Sequence, residues 1–149
     1  PVYWSNAVRL AVSVLDTLRD AVGAPLRVNS WHRWPAQNAA IGGGDPTRAA
    51  SQTSRHLTAE AVDLTPPPGW TAAELAAAAV LLGLPVDQLI WYDPQRGGHL
   101  HVGQWAGRAG GERREVRHGV AGTSREVLEP LPVDVVARVR VRLQARGLL

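Results

Sequence analysis

Ser54-Arg55-His56-Leu57-Thr58-Ala59-Glu60-Ala61-Val62-Asp63-Leu64, read together with His99-Leu100-His101-Val102 further along, carries three of the chain's five histidines and one aspartate. The seven-residue step from His56 to Asp63 is too long for one helical turn. It suits a residue at the end of a loop followed by one on the next strand. Ala61-Val62-Asp63-Leu64 reads as that strand, stopped by Pro66-Pro67-Pro68-Gly69. Leu100-His101-Val102 reads as a second strand, joined to Gln88-Leu89-Ile90-Trp91 by Asp93-Pro94-Gln95-Arg96-Gly97-Gly98, a hairpin connection. Alternation along the second strand puts His99 and His101 on one face, roughly 6–7 Å apart at Cα.

Working outward, residues 6–22 carry Val8, Ala11, Val14, Leu15, Leu18 and Val22 on one helical face, with Ser5 as N-cap and Gly23 past the end. Leu26 to Ser30 is a strand candidate leading into Trp31-His32-Arg33-Trp34-Pro35, and residues 42–53, rich in Gly, Ser and Thr, form a loop that delivers the chain to His56. Thr71-Ala72-Ala73-Glu74 has capping-box spacing, and the Ala/Leu run that follows to Leu82 is a helix apolar enough to be buried. Residues 115–117 form a weak further strand, His118 falls in a loop, and residues 133–145 form a last helix with Val135, Val136, Val139 and Leu143 inward. The pattern predicts an α+β fold, two or three helices against a small antiparallel sheet. With neither a repeat nor an internal boundary, residues 1–149 read as one domain, its core at 6–117 and a C-terminal extension at 118–149.

Composition narrows the chemistry. Cysteine is absent, so any metal must be held by nitrogen and oxygen. All sixteen cationic residues are Arg, the formal charge is +3, and much of the excess lies late, at Arg108, Arg113, Arg114, Arg117, Arg138, Arg140, Arg142 and Arg146. A basic surface attracts polyanions of any kind, but a solvated face is the preferred reading of these charges. The Gly/Arg stretch at 108–117 lacks the interleaved aromatics of a single-strand binder, so no nucleic-acid partner is expected. No apolar run is long enough to span a membrane, and Arg9, Asp16, Arg19 and Asp20 interrupt the N-terminal pattern where a secretory signal would be continuous.

His56, Asp63 and His101 offer two imidazoles and a carboxylate, the donors of an open Zn²⁺ site that keeps one position for water. Spacing alone is equally compatible with ordinary hydrogen-bonded histidines. Ser54-x-His56-x-x-Ala59-x-Ala61-x-Asp63 with His101-Val102 resembles the paired motifs of the zinc D-alanyl-D-alanine carboxypeptidases and phage L-alanyl-D-glutamate endolysins, the LAS-type metallopeptidases. Residues 26–33, 38–43 and 87–91 resemble that family's other blocks in the same order, so the likeness covers about residues 6–117.

The resemblance implies that His56, Asp63 and His101 hold zinc, that Arg33 binds substrate and steadies charge on the scissile carbonyl, and that Ser54 supports the site. It departs at Ala59, where many relatives have Gly, and at the general base. Several branches place a carboxylate where this chain has Gly98, and others place one just after the Leu-Ile pair, where it has Trp91-Tyr92-Asp93. The His-x-His branch matches His99, which is therefore the expected catalytic imidazole, with Asp93 second. Trp31, Trp34, Trp91 and Trp105 flank the motif blocks and either wall a peptide or glycan groove, Trp31 foremost, or pack the core.

What the resemblance implies is a zinc-dependent peptidase of bacterial cell-wall stem peptides, a D,D-carboxypeptidase or an endopeptidase, acting at the wall. It is exported or phage-encoded, in the latter case as part of a virion or tail. The alternative is a wall-binding or virion structural module that keeps the fold without turnover.

Overall fold

The computed structural model describes residues 2–41, 54–94, 98–104, 115–119, 126–127 and 130–149. The first helical segment begins earlier than the periodicity predicts and has three parts: α1 (Val2–Leu10), one wide π-type turn (Ala11–Leu15) and α2 (Asp16–Val22), closed by Gly23 in the left-handed conformation. Leu10, Val14, Leu18 and Val22 are the buried stripe, while Val8, expected inward, is exposed. Strict four-residue spacing drifts around a regular helix; a wider turn absorbs part of that drift and keeps the stripe on the core.

Strand β1 (Arg27–Ser30) follows, then a short helix that the sequence reading missed, α3 (Pro35–Ile41), in which Pro35 opens the first turn. A 3₁₀ turn (Arg55–Thr58) leads into β2 (Ala61–Thr65). Helix α4 (Ala72–Leu81) has the complete capping box, with Thr71 accepting from the Glu74 N–H and the Glu74 carboxylate accepting from the Thr71 N–H. Strands β3 (Gln88–Tyr92) and β4 (Leu100–Gly103) form the expected hairpin. Strands β5 (Glu115–Gly119) and β6 (Glu126–Val127) and helix α5 (Val133–Ala145) complete the order. His118 thus lies on a strand, not in a loop. The loop predicted at 42–53 and Trp105 lie outside the described residues.

The fold is α+β, as predicted. The sheet order is β1-β2-β4-β3-β5-β6, antiparallel from β1 through β3. Strand β5, expected at residues 115–117, joins β3 in parallel where an antiparallel sheet was expected, and β6, which the sequence reading did not include, pairs antiparallel with β5. Alternation gives each strand two fates. Val62, Leu64, Leu89, Trp91, Leu100 and Val102 meet the helices in one core cluster with Leu10, Val14, Leu18, Leu75, Val139 and Leu143. Helix α4 packs against β3 and β4 and is flanked by α2 and α5. Its Ala76 to Ala79 are fully buried, since only small side chains let a helix approach a sheet and two helices at once. The opposite residues, Ala61, Asp63, Ile90, His101 and Gly103, face away from that cluster and form the floor of the site.

Candidate metal centre

Register brings the site together. One row across the sheet reads Ser30, Asp63, His101, Ile90, because Asp63 pairs with Ser30 on β1 and with His101 on β4, and His101 pairs with Ile90 on β3. Directly opposed residues have Cβ atoms only about 4.5–5.5 Å apart. His101 Nδ1 accordingly lies 2.9 Å from Asp63 Oδ1.

His56 arrives from the 3₁₀ turn, which is tied down on all sides. Asn6 Nδ2 donates to the Thr58 carbonyl at 2.9 Å, Trp31 Nε1 to the Ala59 carbonyl at 3.4 Å, and the Gln104 N–H to the Glu60 carbonyl at 2.8 Å. The turn ends at Ala59 with φ +57°, a left-handed backbone in which glycine is the unstrained residue, which is the physical content of the departure seen in the motif. Held this way, buried His56 directs Nε2 at Asp63 Oδ2, 3.3 Å away, and donates from Nδ1 to the Trp31 carbonyl at 2.6 Å.

Arg33 and Ser30 complete the cluster. A β-bulge between Val28 and Ser30 re-aims Ser30 so that its hydroxyl accepts from Arg33 Nε at 2.6 Å. The Arg33 guanidinium then pairs with Asp63 Oδ2. Burial alone would raise the Asp63 carboxyl, but hydrogen bonds from His101 and His56, with the charge on those rings, hold it well below the usual carboxylate range. The group is therefore ionised and ready as a ligand.

Donor chemistry and spacing both fit zinc. Two imidazole nitrogens and one carboxylate oxygen lie within 4.8 Å of one another, the metal-capable group among the described residues. Tetrahedral bonds of 2.0–2.1 Å would separate the donors by roughly 3.3 Å. Each imidazole also has its outward nitrogen occupied, the arrangement that orients a metal-binding histidine.

The remaining predicted residues stand around this centre. His99 shares the sheet face of His101 but lies outside the three-residue group; its ring stacks on Tyr92 at 4.2 Å, and its carbonyl accepts from the Tyr92 N–H at 2.9 Å. Asp93 is half-buried at the exit of β3, where its carbonyl accepts from the Gly98 N–H at 3.0 Å. Gly98 has φ +51°, and a Cβ there would sit 3.3 Å from Pro94 Cα. A carboxylate-bearing residue is thus disfavoured at that point by the hairpin backbone itself. Ser54 precedes the 3₁₀ turn and accepts through its carbonyl from the Leu57 N–H at 3.1 Å. Trp31 is half-buried against the core and lends its carbonyl to His56, Trp91 is core, and Trp34 is exposed with its ring edge-on to His32 at 5.0 Å.

Sequence reasoning missed Gln88, Ser30 and Tyr92. Only the sheet register reveals that these side chains neighbour His101, Asp63 and His99 respectively.

A family model described as peptidase M15 matches residues 3–90, a span that contains Arg33, His56 and Asp63 and ends before His101. Neither a curated protein nor a solved structure matches the chain.

Proposed function

The chain belongs to the peptidase M15 family, and from that premise we propose that it is a zinc-dependent peptidase that hydrolyses a peptide bond in peptidoglycan stem peptides at the bacterial wall. The observation that carries the reading is the convergence of His56 Nε2 and His101 Nδ1 on the ionised, buried carboxylate of Asp63. Zinc held there supplies a Lewis acid for the scissile carbonyl and lowers the pKa of water.

The chain's own residues supply the rest. Arg33 has five N–H donors, of which Ser30 and Asp63 take two, so the same guanidinium steadies the ligand and offers donors to a substrate carbonyl or carboxylate. His99, on the face of His101 and braced by Tyr92, moves the proton between the attacking water and the leaving amine. Asp93 is the second candidate for that role, and Ser54 and Trp31 border the substrate path beside His56. D,D-carboxypeptidase and endopeptidase specificities both use this chemistry, as would a phage-borne lytic domain.

Purified sacculi incubated with the chain, with and without a chelator, test the reading through mass analysis of released peptides. We expect stem-peptide fragments only in the chelator-free, zinc-supplemented arm. His99→Ala should keep the metal and lower turnover by about 10²–10⁴. Sacculi that bind the zinc-loaded chain but release nothing would instead identify a wall-binding module without turnover.

A further inference from the structure

We propose that Gln88 is a positioning residue of the metal site, its side-chain carbonyl fixing the ring of His101 so that Nδ1 is the nitrogen presented to zinc. The inference rests on the zinc reading above and deepens it.

The two ring nitrogens of His101 face different partners. Nδ1 looks inward to Asp63 Oδ1 at 2.9 Å, and Nε2 looks outward to Gln88 Oε1 at 3.2 Å. A carboxamide oxygen only accepts, so Nε2 keeps its proton on Gln88; the proton that Nδ1 gives to Asp63 in the metal-free chain is the one a metal would replace, which leaves the lone pair on Nδ1 where a metal needs it. His56 has the mirror arrangement, Nδ1 on the Trp31 carbonyl and Nε2 toward Asp63. One ligand is therefore set by a backbone carbonyl and the other by a side chain. Only the second can be removed by substitution.

The strands explain how Gln88 reaches. It pairs with Gly103 across the β3–β4 register, which makes it the diagonal neighbour of His101, a separation that long side chains bridge. A Cβ at Gly103 would lie 3.2 Å from Gln88 Cβ and 2.9 Å from Arg55 Nη1, so the missing side chain leaves room for both. Arg55 in turn pairs with Asp87, which anchors the chain immediately before Gln88. Without the amide, the outward N–H of a mostly buried ring loses its acceptor and the ring loses the contact that prevents it from turning over.

The test is zinc affinity of the full-length chain, measured by competition with a chromophoric chelator, with urea unfolding of the metal-free proteins in parallel. Gln88→Met keeps length and removes the acceptor, and should weaken zinc binding about 10- to 100-fold, the usual effect of losing a partner behind a ligand. Gln88→Glu keeps an acceptor and should restore near wild-type affinity. Long-range ¹H–¹⁵N spectra of the zinc-loaded wild type should show His101 metallated at Nδ1 and protonated at Nε2, a readout that stands even if a variant fails to fold. Wild-type zinc binding with an equally tight Gln88→Met, a Gln88→Glu no better than Gln88→Met, or metallation at Nε2 overturns this inference alone. A wild type that takes up no zinc overturns it together with the zinc reading.

Discussion

Asp63 is the residue on which the site converges, touched by His56, His101 and Arg33. Its folded pKa lies below the unfolded one, so the ionised group contributes stability above the ordinary carboxylate range and loses it as pH falls through the folded value. Asp63→Asn leaves Arg33 without its anion in a mostly buried position and should cost the metal-free chain about 3 kcal/mol at neutral pH. Urea unfolding should show that gap at pH 7 and its narrowing in strong acid; a gap that widens in acid contradicts the assignment. His56, Asp63 and His101 were legible in the sequence because histidine is scarce, with five in the chain, and imidazole and carboxylate at that spacing are chemically marked. The Trp31 carbonyl was not, because a backbone group has no residue identity, and Gln88 and Ser30 were not, because their roles depend on cross-strand register and a bulge.

Among elements, the hairpin of β3 and β4 does most to build the centre, since it sets His101 against Asp63 and Gln88 behind His101. It was readable from two apolar runs around a Gly/Pro connection. Helix α4 was readable from its capping box, which predicts that Thr71→Ala lowers stability by about 1 kcal/mol through loss of the acceptor for the Glu74 N–H, measurable as a shift in the urea midpoint. No change would show that the cap is dispensable. Other elements depended on tertiary context. The outward turn of Val8 reflects the π-type turn downstream, α3 hides behind an X-Pro step that reads as the end of a strand, and the parallel partnership of β5 with β3 leaves no mark on the local pattern of either strand.

At the scale of the molecule, one sheet separates a packed apolar layer from a polar, ionised one, and this division made the α+β class predictable from alternation alone. Among the described residues, three of the late arginines, Arg138, Arg142 and Arg146, make contacts that hold the fold together. Arg138 pairs with Asp134 and Glu74, Arg142 lies over the Trp70 ring at 4.8 Å, and Arg146 donates to the Asp20 carbonyl at 3.1 Å. Helix α5 sends Val135, Val139 and Leu143 into the same core as the strands. Among the described residues, no helix is long and apolar enough to cross a membrane.

All of the functional reading depends on a single cation shared by two strands and a turn. Elemental analysis of the reconstituted, buffer-exchanged chain beside His101→Ala measures that directly. About one zinc per wild-type chain is predicted, with less than about a tenth of an equivalent retained by the variant. A wild type as empty as the variant, or a variant as full as the wild type, would contradict it.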